Sequence, residues 1–150
     1  MTLDELAARE LIRDLVAAYA ELADRGRFAD VAALFTEDGV LEVAGGGTHR
    51  GREAIHGFLA GAGAGLRATT GRPLVRHHVS NLRITLGAGA EATGACSFLV
   101  LTERGLDHWG RYRDAYVRDR DRWLFRHRRV RVDGWTPASW AAARRGEPPG

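Results

Sequence analysis

Two adjacent imidazoles, His77 and His78, sit inside the run Val75, Arg76, His77, His78, Val79, Ser80, Asn81, Leu82, Arg83, Ile84. The β-branched residues at 75, 79 and 84 favour an extended strand. Side chains alternate across a strand, which predicts one face carrying Val75, His77, Val79 and Asn81 and the other carrying Arg76, His78 and Ser80. One histidine therefore travels with apolar company. Imidazole changes charge near neutrality, so a histidine on such a face either is a satisfied core residue or transfers protons as a general acid or base. The remainder of the chain must decide between them.

Several other chemistries are disfavoured by residue type and spacing. Cys96 is the single cysteine, which excludes an intrachain disulfide or a thiolate metal cage. His77 and His78 point to opposite faces and cannot converge on one ion, so no metal is expected. The glycines at 61, 63 and 65 follow a helix instead of linking a strand to one, which argues against a dinucleotide or phosphate loop and leaves a flexible loop or a lid over a pocket. No serine occupies a strand-to-helix elbow. All 22 basic residues are arginine and the net charge is +3. Those between 111 and 131 alternate with Asp114, Asp119 and Asp121, so they form no clean patch for nucleic acid.

With 150 residues, 45% of them hydrophobic and 27% charged, the chain can bury one core. No apolar run reaches membrane-spanning length and Met1 to Glu5 lacks the pattern of a signal peptide. A cytoplasmic protein with no membrane partner is expected. Thr2 and Glu5 form a capping-box signature for a first helix that carries Leu3, Leu6, Leu11, Leu15, Tyr19 and Leu22 to about Asp24. A second helix is predicted from Phe28 to Phe35, a strand from Val40 to Val43, and after Gly51 a third helix that frays into the glycines 61–65. Strands from Ala92 to Thr102, His108 to Arg118 and Trp123 to Val132 follow the histidine strand, with a hairpin at 87–90. The predicted class is α+β, three helices on a curved, mainly antiparallel sheet. A domain over 1–134 and a tail over 135–150 with loose last residues complete the layout.

The segments Tyr19 to Asp24, Ala33 to Gly39, Gly51 to Ile55, Arg76 to Asn81 and Gly110 to Asp114, closed by Trp123, carry a resemblance in their order and spacing. Together they resemble the SnoaL-like branch of the NTF2-like superfamily, nearest in pattern to scytalone dehydratase and bile acid 7α-dehydratase. The resemblance implies a cone-shaped barrel with a deep pocket between the first helices and the sheet. It also implies cofactor-free acid/base chemistry on a hydrophobic small molecule: dehydration first, cyclisation or isomerisation next, or binding without catalysis. A homodimer through the outer face of the sheet is expected with it.

Residue by residue, Tyr19, Asp24 and His77 resemble the family's catalytic tyrosine, aspartate and histidine. Asp24 would fix the imidazole tautomer, an arrangement that gives reason to place a carboxylate at the unfavourable negative end of a helix. Tyr19 reads equally as a core aromatic. The family's second ionisable group falls on the next strand, where this chain has Leu99, Val100, Leu101 and Thr102. Substitutes are Tyr112, Asp114 and Tyr116, which share one face of the following strand, although Asp114 could instead pair with an arginine. Asn81 and Tyr112 could hold the substrate oxygen. Arg131 lies near a functional arginine of the bile acid enzyme. Ketosteroid isomerase, in the same superfamily, has its base on the strand after the second helix, where Glu42 lies one residue out of phase.

Overall fold

The computed structural model describes residues 1–70 and 74–140, without the side chains of 68–70. The predicted looseness of the last residues falls outside that range. Helix α1 (Leu3–Asp24) starts at the expected capping box: the Thr2 hydroxyl accepts from the Glu5 N–H, and the Glu5 carboxylate accepts from the Thr2 N–H. Its buried stripe is Ile12, Leu15, Val16 and Tyr19. Gly26, at φ +70°, turns the chain out of the helix, a conformation that glycine adopts without the Cβ clash other residues meet.

Helix α2 (Phe28–Ala33) is shorter than predicted, because Phe35 already belongs to strand β1 (Phe35–Val43). The ring of Phe35 packs against Phe125 at 5.1 Å in the centre of the core. β2 (Gly47–Arg50), which is not among the predicted elements, pairs back on β1. Helix α3 (Arg52–Thr70) then runs straight through the glycines. The expected frayed loop or lid is therefore corrected to helix. Each interior glycine costs about 1 kcal/mol relative to alanine, so packing must hold this stretch. Leu66 is buried, and at Gly63 the Phe28 ring would lie 2.6 Å from any added Cβ.

Strands β3 (Val75–Leu86), β4 (Glu91–Thr102), β5 (Gly105–Asp119) and β6 (Arg122–Trp135) form the antiparallel part of the sheet. Its order is β2-β1-β6-β5-β4-β3, with the β1 and β6 pair parallel. The helices cover one concave face, and among the described residues no helix is long and apolar enough to cross a membrane. Two irregularities matter for the site. In β3 the register shifts between Ser80 and Arg83, and Asn81 sits there at φ +58°. In β5 the register shifts so that Val100 faces His108 while Leu101 faces Leu106, leaving Asp107 as the extra residue of a bulge.

Candidate active site

A pocket of about 310 Å³ opens between the helices and the concave face of the sheet. Most of its wall is apolar, with Phe28 and Phe58 from the helical side and Val75, Phe98 and Val100 from the strands. The polar groups are few: Tyr19 from α1, His77 from β3, Thr102 from β4, and Asp107, His108 and Tyr112 from β5. No arginine is among the described lining residues, although every basic residue of the chain is one.

Asp24 and His77 meet at the rim where α1 ends. The carboxylate Oδ1 lies 2.6 Å from His77 Nδ1, and both carboxylate oxygens accept from the His77 backbone N–H at 3.0 and 3.1 Å. The topology explains that second contact. β3 is an edge strand, so an outward-facing N–H has no neighbouring strand to receive it. A carboxylate at the end of α1 supplies the acceptor, and the two N–H donors offset the helix dipole that opposes its charge. With Nδ1 donating to a carboxylate, the neutral imidazole keeps its lone pair on Nε2. His78 is exposed on the opposite face.

Tyr19 and Tyr112 stand beside each other, edge to face at 6.1 Å. Both side chains line the pocket. Burial pushes both phenols above their ordinary pKa, so at neutral pH they stay protonated and can donate. Behind them lies Arg128, fully buried, with its guanidinium carbon 4.2 Å from the Tyr19 ring centre and 4.1 Å from that of Tyr112. Burial works against its charge, but the Asp114 carboxylate beside it holds it protonated through bonds of 2.8 and 2.9 Å. Tyr116 donates to the same carboxylate at 2.8 Å.

Asp114 and Tyr116 are thus placed in a buried network behind the pocket wall, and neither lines the cavity. Arg131 is exposed and lies 3.5 Å from Asp133, away from the pocket. Asn81 is exposed as well, which corrects the expected face: the bulge resets the alternation, so Leu82 and Ile84 turn inward in its place. Glu42 is out of phase as read, since Leu41 and Val43 line the pocket while Glu42 pairs with His127 and Arg129.

Asp107 and His108 were missed. His108 Nδ1 lies 2.7 Å from Asp107 Oδ2, and both side chains are buried. Strict alternation would send these neighbours to opposite faces; the bulge turns both inward. A signal existed, because His108 is in phase with Tyr112.

A family model described as a SnoaL-like domain matches residues 4–129. Among solved structures, a protein from Novosphingobium aromaticivorans named a putative scytalone dehydratase is 28% identical, with a TM-score of 0.78 over 91% of each chain. A protein from Catenulispora acidiphila in complex with S-DNPA is 28% identical, with a TM-score of 0.68 over 85% of this chain and 95% of that one. ActVI-ORFA from Streptomyces coelicolor, at 22% identity, shares the fold with a TM-score of 0.74 over 84% of this chain and 98% of that one. No curated protein matches the sequence significantly.

Proposed function

Starting from a chain that belongs to the SnoaL-like family, we propose a proton-transfer enzyme for a neutral, largely apolar hydroxy-ketone, with dehydration as its reaction. The observation that carries this reading is the 2.6 Å contact between Asp24 and His77 in the wall of an apolar pocket. A protein that only stored a ligand would have no use for a carboxylate orienting a pocket imidazole.

In this reading Nε2 of His77 removes a proton from the carbon next to the substrate carbonyl. The C–H electron pair forms an enolate, whose oxygen Tyr19 and Tyr112 stabilise by donating hydrogen bonds. The enolate collapses back to the carbonyl as the β carbon–oxygen bond breaks. The departing hydroxyl takes up a proton, and the net products are a conjugated ketone and one water. The absence of arginine from the described lining favours a neutral substrate over a carboxylate or phosphate. Isomerisation and cyclisation share the first step, and release of water separates dehydration from both.

A second copy of the chain would dock on the outer face of the sheet. Leu99 and Trp109 are direct cross-strand partners there, 37% and 38% exposed. Trp109→Asp should convert a dimer to a monomer in sedimentation, whereas a wild-type monomer would remove this part of the reading.

The enzymatic reading is tested by incubating the protein with a panel of neutral aromatic β-hydroxy-ketones and following loss of water by mass spectrometry. His77→Gln should slow the reaction by roughly 10²–10⁴-fold, the contribution of a positioned acid or base. Equal rates in wild type and His77→Gln would contradict it.

A further inference from the structure

Asp107 is held at the pocket by several hydrogen bonds. Oδ2 accepts from the Ser139 hydroxyl at 2.6 Å and faces His108 Nδ1 at 2.7 Å, while Oδ1 accepts from the Trp140 backbone N–H at 3.0 Å. The segment is pinned again at Thr136, whose N–H donates to the Asp107 carbonyl at 2.9 Å. Ser139 is 4% exposed and Trp140 lines the pocket, its ring 6.3 Å from that of His108. The family match ends at residue 129. Ser139 and Trp140 lie beyond the matched residues, and they close on a carboxylate inside the pocket.

Register places His108 relative to His77. His77 faces Val100 across β3 and β4, and Val100 faces His108 across β4 and β5. The two histidines lie in one row with Val100 between them, two strand spacings or about 10 Å apart at Cα. That separation leaves room for a substrate between two imidazoles, each with Nδ1 tied to its own carboxylate. The strand where the resemblance expects a second ionisable group, β4, has Val100 in this row, and its neighbour β5 supplies one instead.

We propose that His108 is the second proton-transfer residue of the pocket, held in its working tautomer by Asp107, with Ser139 and Trp140 of the tail as the positioning residues that clamp Asp107. The site is then completed by the segment that follows β6. The proposal rests on the dehydratase reading: His77 removes the proton at carbon, and His108 as imidazolium gives a proton to the departing hydroxyl. A proton returned from His77 to His108 through solvent resets the pair, so no further reactant is needed. Among the described residues, the titratable groups sharing the pocket wall with His108 are Asp107 and Tyr112 on its own strand, His77 on β3 and Tyr19 on α1, and the described lining residues of β4, β6 and α3 are uncharged.

The test uses the full chain labelled with ¹⁵N, with ring-nitrogen signals of His77 and His108 identified from His77→Gln and His108→Gln. In wild type His108 should carry its neutral-state proton on Nδ1. Ser139→Ala and Asp107→Asn should displace the His108 titration midpoint and leave that of His77 unmoved. With a β-hydroxy-ketone as substrate, His108→Gln should lower kcat by at least about 10²-fold with little change in KM, and Ser139→Ala should move one limb of the pH profile. A His108 titration identical in wild type, Ser139→Ala and folded Asp107→Asn would overturn the clamp. Full turnover in His108→Gln with loss in His77→Gln would overturn the second residue while leaving the proposed function standing; full turnover in both variants would remove that function too.

Discussion

Each carboxylate of the site acts through the particular atoms that it holds. Asp24 binds both the ring and the backbone of His77, so Asp24→Asn should disturb the tautomer without emptying the space. The expected result is a kcat reduced by roughly 10²–10⁴-fold, read as loss of a correctly oriented base. Replacing His78, exposed on the far face, should leave kcat intact. Cys96 offers a contrasting case. Burial pushes its thiol up to about 11, so at neutral pH it stays protonated and should resist iodoacetamide in the folded protein, reacting only after denaturation. His77 was legible because Val75 and Val79 flank it in phase, and Asp24 because a carboxylate at a helix C-terminus calls for a partner. Asn81 and Asp107 were not, since each sits at a bulge, and nothing in local residue type marks where period-two alternation will slip.

Helix α3 and the segment after β6 each shape the pocket. Gly63→Ala would place a methyl against the Phe28 ring, itself a pocket residue, so the variant should lose about 1–3 kcal/mol from overpacking and bind ligands differently. Denaturant unfolding with and without ligand checks both effects. The same contact explains why glycines read as a frayed loop instead form helix: the close approach of α2 and α3 is a tertiary fact that propensity does not contain. For the tail segment, pH is the probe. Burial of Asp107 disfavours its charge, but the Ser139 hydroxyl, His108 and the Trp140 N–H together outweigh burial and hold the carboxyl below its ordinary range. A lowered folded pKa means stabilisation that is complete above the unfolded value of about 4 and lost as pH falls through the folded one. Docking of Trp140, followed by fluorescence against a Trp140→Phe control, should therefore hold from neutrality down to about pH 4 and fail below it. Ser139→Ala should move that release to higher pH.

For the molecule as a whole, the buried pair of Arg128 and Asp114 joins the core to the site. Arg128 has three aromatic rings around its guanidinium carbon at 4.1 to 4.2 Å, yet its Nη1 has no hydrogen-bond partner among the described residues, so Asp114 is its chief compensation. Asp114→Ala would leave an uncompensated buried charge and should cost about 3–5 kcal/mol in denaturant unfolding. The architecture was legible from the order of helices and strands, while the parallel joining of β1 to β6 came from neither periodicity nor turn residues. What the fold achieves is to bring an edge strand, a helix end and a bulged inner strand around one apolar cavity. Whether His77 oriented by Asp24 moves a proton at carbon can be read from hydrogen–deuterium exchange. A neutral aromatic ketone with a proton on the carbon beside its carbonyl is incubated with the protein in deuterated buffer and followed by NMR. Wild type and His78→Ala should exchange that proton, with His77→Gln and Asp24→Asn slower by at least about 10²-fold; exchange that survives undiminished in His77→Gln would contradict the claim.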